Sequence, residues 1–216
     1  MLQGFLAEVQ PTQQLKDLIV LVADKNMRSA LSGLLDRCGR LGIRPISFHG
    51  PHVHPKRDPG VYRLSHEFLR SFQRTATYAL VIFDRDGCGS TQTREDLERQ
   101  VEIRLAQNGW PDRSVVIVID PELENWVWSD SPRVAAALGW QHDELRRWLA
   151  ESGYYQEGAL KPTSPKEAVE EALRLRGIPR SSAIYLNIAT QVNFDRCVDP
   201  AFIKLRATFA AWFPVR

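Results

Sequence analysis

Three short apolar runs in this sequence are each followed at once by carboxylates. Leu18-Ile-Val-Leu-Val-Ala23 runs into Asp24, Tyr78-Ala-Leu-Val-Ile-Phe83 into Asp84-Arg-Asp86, and Ser114-Val-Val-Ile-Val-Ile119 into Asp120-Pro-Glu122-Leu-Glu124. If the runs are parallel strands of one sheet, up to six acidic groups meet at one edge of the molecule, where open α/β sheets bind ligands. Two like charges 4 Å apart cost about 1 kcal/mol in water and about 4 kcal/mol at an effective dielectric of 20. Such a cluster calls for a cation, for raised pKa values or for wide spacing. A hard divalent ion answers it: Mg²⁺ takes carboxylate oxygens and keeps several waters, which leaves room for a substrate phosphate. In extended backbone, residues i and i+2 point the same way, about 6.6 Å apart. Asp84 and Asp86 would then hold one ion, or an ion and its water, with Gly87 and Gly89 allowing close backbone approach. Asp is also a helix N-cap and a turn former. That accounts for Asp24 or Asp120 taken singly, and not for acids after three strands at once.

Positioning these groups requires strands alternating with helices. The apolar runs 18–23, 78–83 and 114–119 are continuous and short, as in strands buried on both faces. Residues 43–48 read as a second strand, in chain order, ending in His49 rather than in an acid. Residues 49–61 hold three prolines and two glycines and read as a loop. Apolar residues at helical spacing predict helices over 26–40, 64–74 and 93–108, the last with Thr93 and Asp96 as a capping pair. Further helices are predicted from about 122, over 131–138 and over 140–151. Alternation of this kind predicts a three-layer α/β/α, Rossmann-like domain over residues 1–150, with a mainly parallel sheet of about four strands. After a polar stretch at 153–165 the tail reads as helices only (165–176, 182–191 and 200–212), a helical extension over 151–216 packed on the sheet domain.

Composition excludes several classes. With 44% hydrophobic and 25% charged residues among 216, the chain is neither disordered nor short of core. No apolar run approaches the ~20 residues of a membrane span. The first 14 residues lack a basic n-region and carry Glu8 in their apolar stretch, unlike a signal peptide. Cys38, Cys88 and Cys197 are odd in number and widely spaced, as in a reduced, cytoplasmic protein, and none has a matched His that would make it a nucleophile. There is no P-loop or dinucleotide fingerprint. A net charge of +2 leaves nucleic-acid binding to local patches, of which residues 56–74 offer a mild one: Lys56, Arg57, Arg63, Arg70 and Arg74 against Asp58 and Glu67. His49, His52 and His54 suggest zinc only weakly, since their spacing falls in a Pro-rich loop without a fourth ligand. The tryptophans read mainly as core.

A strand followed by a lone acid, a later strand ending in DxD, and then Glu122-Leu-Glu-Asn-Trp126 together resemble the Toprim domain. The resemblance is strongest to small stand-alone Toprim-like proteins related to RloB and to OLD-type nucleases, and it covers roughly residues 18–130. It implies Mg²⁺-dependent phosphodiester chemistry, with Mn²⁺ as a substitute. Asp84 and Asp86 would bind metal, Asp24 would act as general acid/base or metal ligand, and Glu124 would be the signature acid in support. The family carries Glu at the first acid, and this chain carries the shorter Asp24. Relatives of this kind are components of prokaryotic antiviral defence, including methylation-associated clusters, which implies nucleic acid and other defence proteins as partners. Two other readings stay open: a non-catalytic subunit with a degenerate site, and a phosphatase or phosphotransferase acting on small molecules.

Overall fold

The computed structural model describes residues 15–129, 131–155, 161–193, 195 and 197–215. The N-terminal stretch read above for a leader, and part of the polar segment at 153–165, lie outside them. Four strands, β1 (Lys16–Val22), β2 (Phe48–Val53), β3 (Ala76–Asp84) and β4 (Ser114–Ile119), form one parallel sheet in the order β2-β1-β3-β4. Leu18–Val22, Leu80–Phe83 and Val116–Ile119 are all fully buried, which is why they could be recognised as unbroken apolar runs. Ten α-helices lie among the described residues: α1 (Lys25–Leu35), α2 (Cys38–Leu41), α3 (Arg57–Phe68), α4 (Arg94–Gln107), α5 (Glu124–Val127), α6 (Pro132–Ala137), α7 (His142–Glu151), α8 (Pro165–Leu175), α9 (Ser182–Gln191) and α10 (Pro200–Trp212), with a 3₁₀ turn over Leu69–Phe72 after α3. Right-handed crossovers, the rule for parallel sheets, would place α1 on one face and α3 and α4 on the other. The contacts agree: α3 packs on α4, β3 and β1, while α9 covers α1, and α10 lies on β4. The α/β class and the parallel sheet are as expected.

The second strand is a correction. It spans Phe48–Val53 rather than 43–48, and the segment read as a loop holds both this strand and the start of α3. The prolines and glycines misled because β2 is an edge strand, where Pro is tolerated. Ile19 pairs with His49 and Leu21 with His52, so β2 carries one extra residue there. Gly50 supplies it at φ +89°, where a Cβ would lie 2.5 Å from the His52 nitrogen and 2.8 Å from the Val20 carbonyl. The bulge turns His49 and His52, three apart in sequence, against the same ring of Phe72. Pro59 sits in the first turn of α3, where a missing N–H costs nothing. Ile43 instead forms an isolated antiparallel bridge with Pro214. The helix expected over 26–40 is two, separated after Leu35 and closed by Gly42 at φ +74°.

The outer edge of β4 is closed by side chains. Glu102 accepts the Val116 N–H and Glu98 the Val118 N–H, each at 3.0 Å, and Lys204 of α10 donates to the Val116 carbonyl and to both glutamates. The C-terminal helices are tied down as firmly. A Cβ on Gly33 would stand 2.9 Å from that of Ala189, so α1 and α9 meet nearly backbone to backbone. Arg37 donates to the carbonyls of Ala189 and Val192. Trp212 stacks on Tyr78 with ring centroids 4.3 Å apart. Trp126, Trp128 and Trp140 each donate their indole N–H to a protein acceptor, so these tryptophans serve packing. No helix among the described residues is long and apolar enough to cross a membrane.

Candidate functional site

In a sheet ordered β2-β1-β3-β4 the chain reverses direction between β1 and β3. The crevice beyond their carboxyl ends is where such folds take ligands. Asp24 follows β1 and Asp84 closes β3, so the two expected acids flank that crevice. Asp24 caps α1, its Oδ1 accepting the Met27 N–H at 2.8 Å. Asp84 is the more unusual group: its Oδ1 is buried and has no hydrogen-bond partner among the described residues. Burial, reinforced by the charges of Asp58, Glu124, Asp24 and Glu122, pushes its carboxyl well above the ordinary carboxylate range.

Asp58 is the site residue that sequence reasoning missed. It lies in the first turn of α3, and its Oδ1 accepts the backbone N–H of Asp84 at 2.9 Å. A Cβ on Gly87 would lie 3.9 Å from its Oδ2. Burial and the neighbouring Asp24 charge raise its carboxyl pKa, opposed by the bond from Asp84. The second strand thus does deliver an acid to the crevice, five residues beyond its end. Reading residues 49–61 as a loop hides that signal, although Asp58 belongs to the basic stretch of 56–74.

The other predicted residues part company with this group. Asp86 is exposed, with Arg85 at 3.5 Å. The i, i+2 argument fails for it because β3 ends at Asp84: the Arg85 N–H goes to the Ile119 carbonyl and the Asp86 N–H to that of Pro121, which turns the chain. Asp120 is neutralised by Arg85 at 3.1 Å. Glu122 pairs with Lys166 at 3.3 Å. Glu124 is only 3% exposed, and its Oε1 takes both the Arg180 guanidinium and the Tyr185 hydroxyl. The next two residues of the Glu-Asn-Trp motif are structural: Asn125 and Trp126 donate to Asp199, which also caps α10.

Among the described residues no group of three or more His, Cys, Asp or Glu is placed so that it could hold a metal ion. What links these acids is narrower: Asp58 accepts the Asp84 backbone N–H, and the charges of Asp58 and Asp24 help raise the Asp84 carboxyl pKa. Burial raises the thiol pKa of Cys88 and of Cys197, so neither is an activated nucleophile. His49 and His52 each have a buried, unpartnered Nε2 lying against Phe68 and Phe72 rather than converging with other ligands. A cavity of about 480 Å³ lies between α1, α5, α9 and α10 and contains none of these carboxylates. No family model, no curated protein and no solved structure matches this chain.

Proposed function

We propose that this protein carries out Mg²⁺-dependent phosphodiester chemistry on nucleic acid, as a nuclease component of a prokaryotic antiviral system, with Asp84 at the centre of the site. One observation carries the reading: a buried, unpartnered carboxylate oxygen on Asp84 sits among other acids at the switch point of a parallel sheet. An orphaned buried acceptor costs about 1–3 kcal/mol, and a cation would satisfy it. Mg²⁺ needs no all-protein cage; one or two carboxylates complete its shell together with waters and substrate phosphate. Asp84 and Asp58 would hold the ion, and Asp24, across the crevice, would hold or move a proton. When bound, the ion would polarise a phosphoryl oxygen and position the nucleophile. Asp58 holds Asp84 in place through its backbone bond, and Arg85 takes up the charges of Asp86 and Asp120. The defence setting rests on the family resemblance alone.

A specific observation favours a second reading. Glu124, the signature acid of the resemblance, is used as a buried strut to Arg180 and Tyr185, as suits a non-catalytic subunit that keeps the fold and works through partner proteins. The test is calorimetric titration with Mn²⁺ alongside plasmid and RNA cleavage assays, comparing the wild type with Asp84→Asn. Metal binding and cleavage that are both lost in Asp84→Asn support the nuclease. Metal binding without cleavage of any nucleic acid supports the subunit. Equal Mn²⁺ affinity in the two proteins removes Asp84 from the site and overturns the nuclease reading.

A further inference from the structure

The geometry points to Arg63 as the cation that holds the substrate phosphate beside the Asp84 site, on a polynucleotide rather than on a small phosphorylated molecule; this rests on the metal reading above. Helix α3 lies across the loop that leaves β3. Its Asp58 stands over Gly87, and its Arg63 stands over Gly89, with Nη2 3.3 Å from where a Cβ on Gly89 would be. Two residues span at most about 7 Å, so the carboxylate and the guanidinium sit over neighbouring points of one short loop. Gly87 and Gly89 both have positive φ, +94° and +81°. The loop therefore presents bare backbone to whatever Arg63 faces.

Arg63 differs from the arginines of the loop after β3 and of α4. Arg85 is paired with Asp86 and Asp120, Arg94 with Glu95 and Glu98, and Arg104 with the Tyr62 carbonyl and ring. Arg63 is exposed and, among the described residues, makes no ion pair or hydrogen bond. It remains unpaired although the Asp58 carboxylate stands over the same loop, two residues away at Gly87. A metal ion neutralises the carboxylates that hold it but not the diester that joins it, and a planar guanidinium beside the ion binds phosphate bidentately. A polynucleotide is favoured because Arg63 belongs to the basic stretch of 56–74. Within it Lys56, Arg57, Arg70 and Arg74 are also exposed, more cationic groups than a single phosphate would engage.

Binding of a fluorescent single-stranded DNA 20-mer is measured by anisotropy with Ca²⁺ or Mn²⁺ present, over a range of salt, for the wild type, Arg63→Gln, Arg63→Lys and Asp84→Asn. Mn²⁺ affinity is measured separately without nucleic acid. Arg63→Gln is expected to bind Mn²⁺ like the wild type, to bind the oligonucleotide about five- to tenfold more weakly, and to lower the slope of log K against log salt by about 0.7. Arg63→Lys should keep the wild-type slope, since it keeps the charge, with part of the affinity lost. Oligonucleotide binding by Arg63→Gln equal to wild type, with Mn²⁺ binding intact, overturns the assignment of Arg63 and leaves the metal site standing. Absence of Mn²⁺ binding in the wild type overturns the metal reading and this inference with it. Inorganic phosphate displacing the oligonucleotide as effectively, per phosphate, as unlabelled DNA overturns the polynucleotide class.

Discussion

Replacing Asp84 by Asn should make the metal-free protein more stable. In the native state one oxygen of the Asp84 carboxylate is buried without a partner, and burial together with the charges of Asp58, Glu124, Asp24 and Glu122 raises its pKa. Asn keeps the shape and the backbone bond to Asp58 and removes the charge. Asn leaves a polar atom unpaired in the same place, so the gain is the removed charge alone, about 1–4 kcal/mol for one like charge at 4 Å between water and an effective dielectric of 20. For a chain of this size each kcal/mol moves Tm by about 2–4 °C, so Asp84→Asn should melt roughly 2–16 °C above the wild type in EDTA at pH 7.5. The pH dependence follows from linkage. The carboxyl pKa is raised on folding, so the cost of the charge is absent below the ordinary carboxylate range and grows as the pH rises through the folded-state value. The advantage of Asn should therefore shrink as the pH is lowered toward about 4. Mn²⁺ should reverse the order. At a hundredfold excess over Kd it adds about 2.7 kcal/mol to the wild type and little to the variant. Thermal melts in EDTA and in Mn²⁺, at pH 7.5 and 4.5, read all four quantities. A variant less stable than the wild type in EDTA at pH 7.5 would refute the claim that the native fold holds this charge at a cost.

Three further outcomes are expected. Gly33→Val should destabilise by about 1–3 kcal/mol in urea unfolding, because even a Cβ there meets Ala189 at 2.9 Å and forces α9 off α1; a neutral result would mean that this contact is loose. Arg180→Met should cost about 2–3 kcal/mol, less than the loss of a fully buried pair because Arg180 is 31% exposed, while Glu124→Gln, which leaves no stranded charge, should cost less than that; the reverse order in denaturant melts would reject Glu124 as an ionised strut. Burial lowers the pKa of His52 and His54, so the unfolded chain binds protons that the native state does not, and stability present above about pH 6.5 is lost as the pH falls below it. His52→Phe, which keeps an aromatic ring against Phe68 and Phe72, should lose less stability than the wild type between pH 7 and 5.

What the sequence determined by itself is the layered α/β plan. Strands buried on both faces must be continuous apolar runs, and helices that cover them must be amphipathic, so β1, β3, β4 and the helices from α4 to α10 could be read from local pattern. The acids after β1 and β3 were legible for the same reason, since a strand end is a local feature. The tertiary structure alone decided the rest. The edge strand β2 is only half-buried and carries a bulge at Gly50, so it lacks the unbroken apolar signature, and its misplacement hid Asp58. Whether a carboxylate joins the site, pairs with an arginine or braces a helix depends on which distant element arrives beside it. Asp86 and Asp120 meet Arg85, Glu124 meets Arg180 from 56 residues away, and Asp84 meets Asp58. Charge acts through space rather than along the chain, so residues of one type, at equivalent strand ends, come to have different roles.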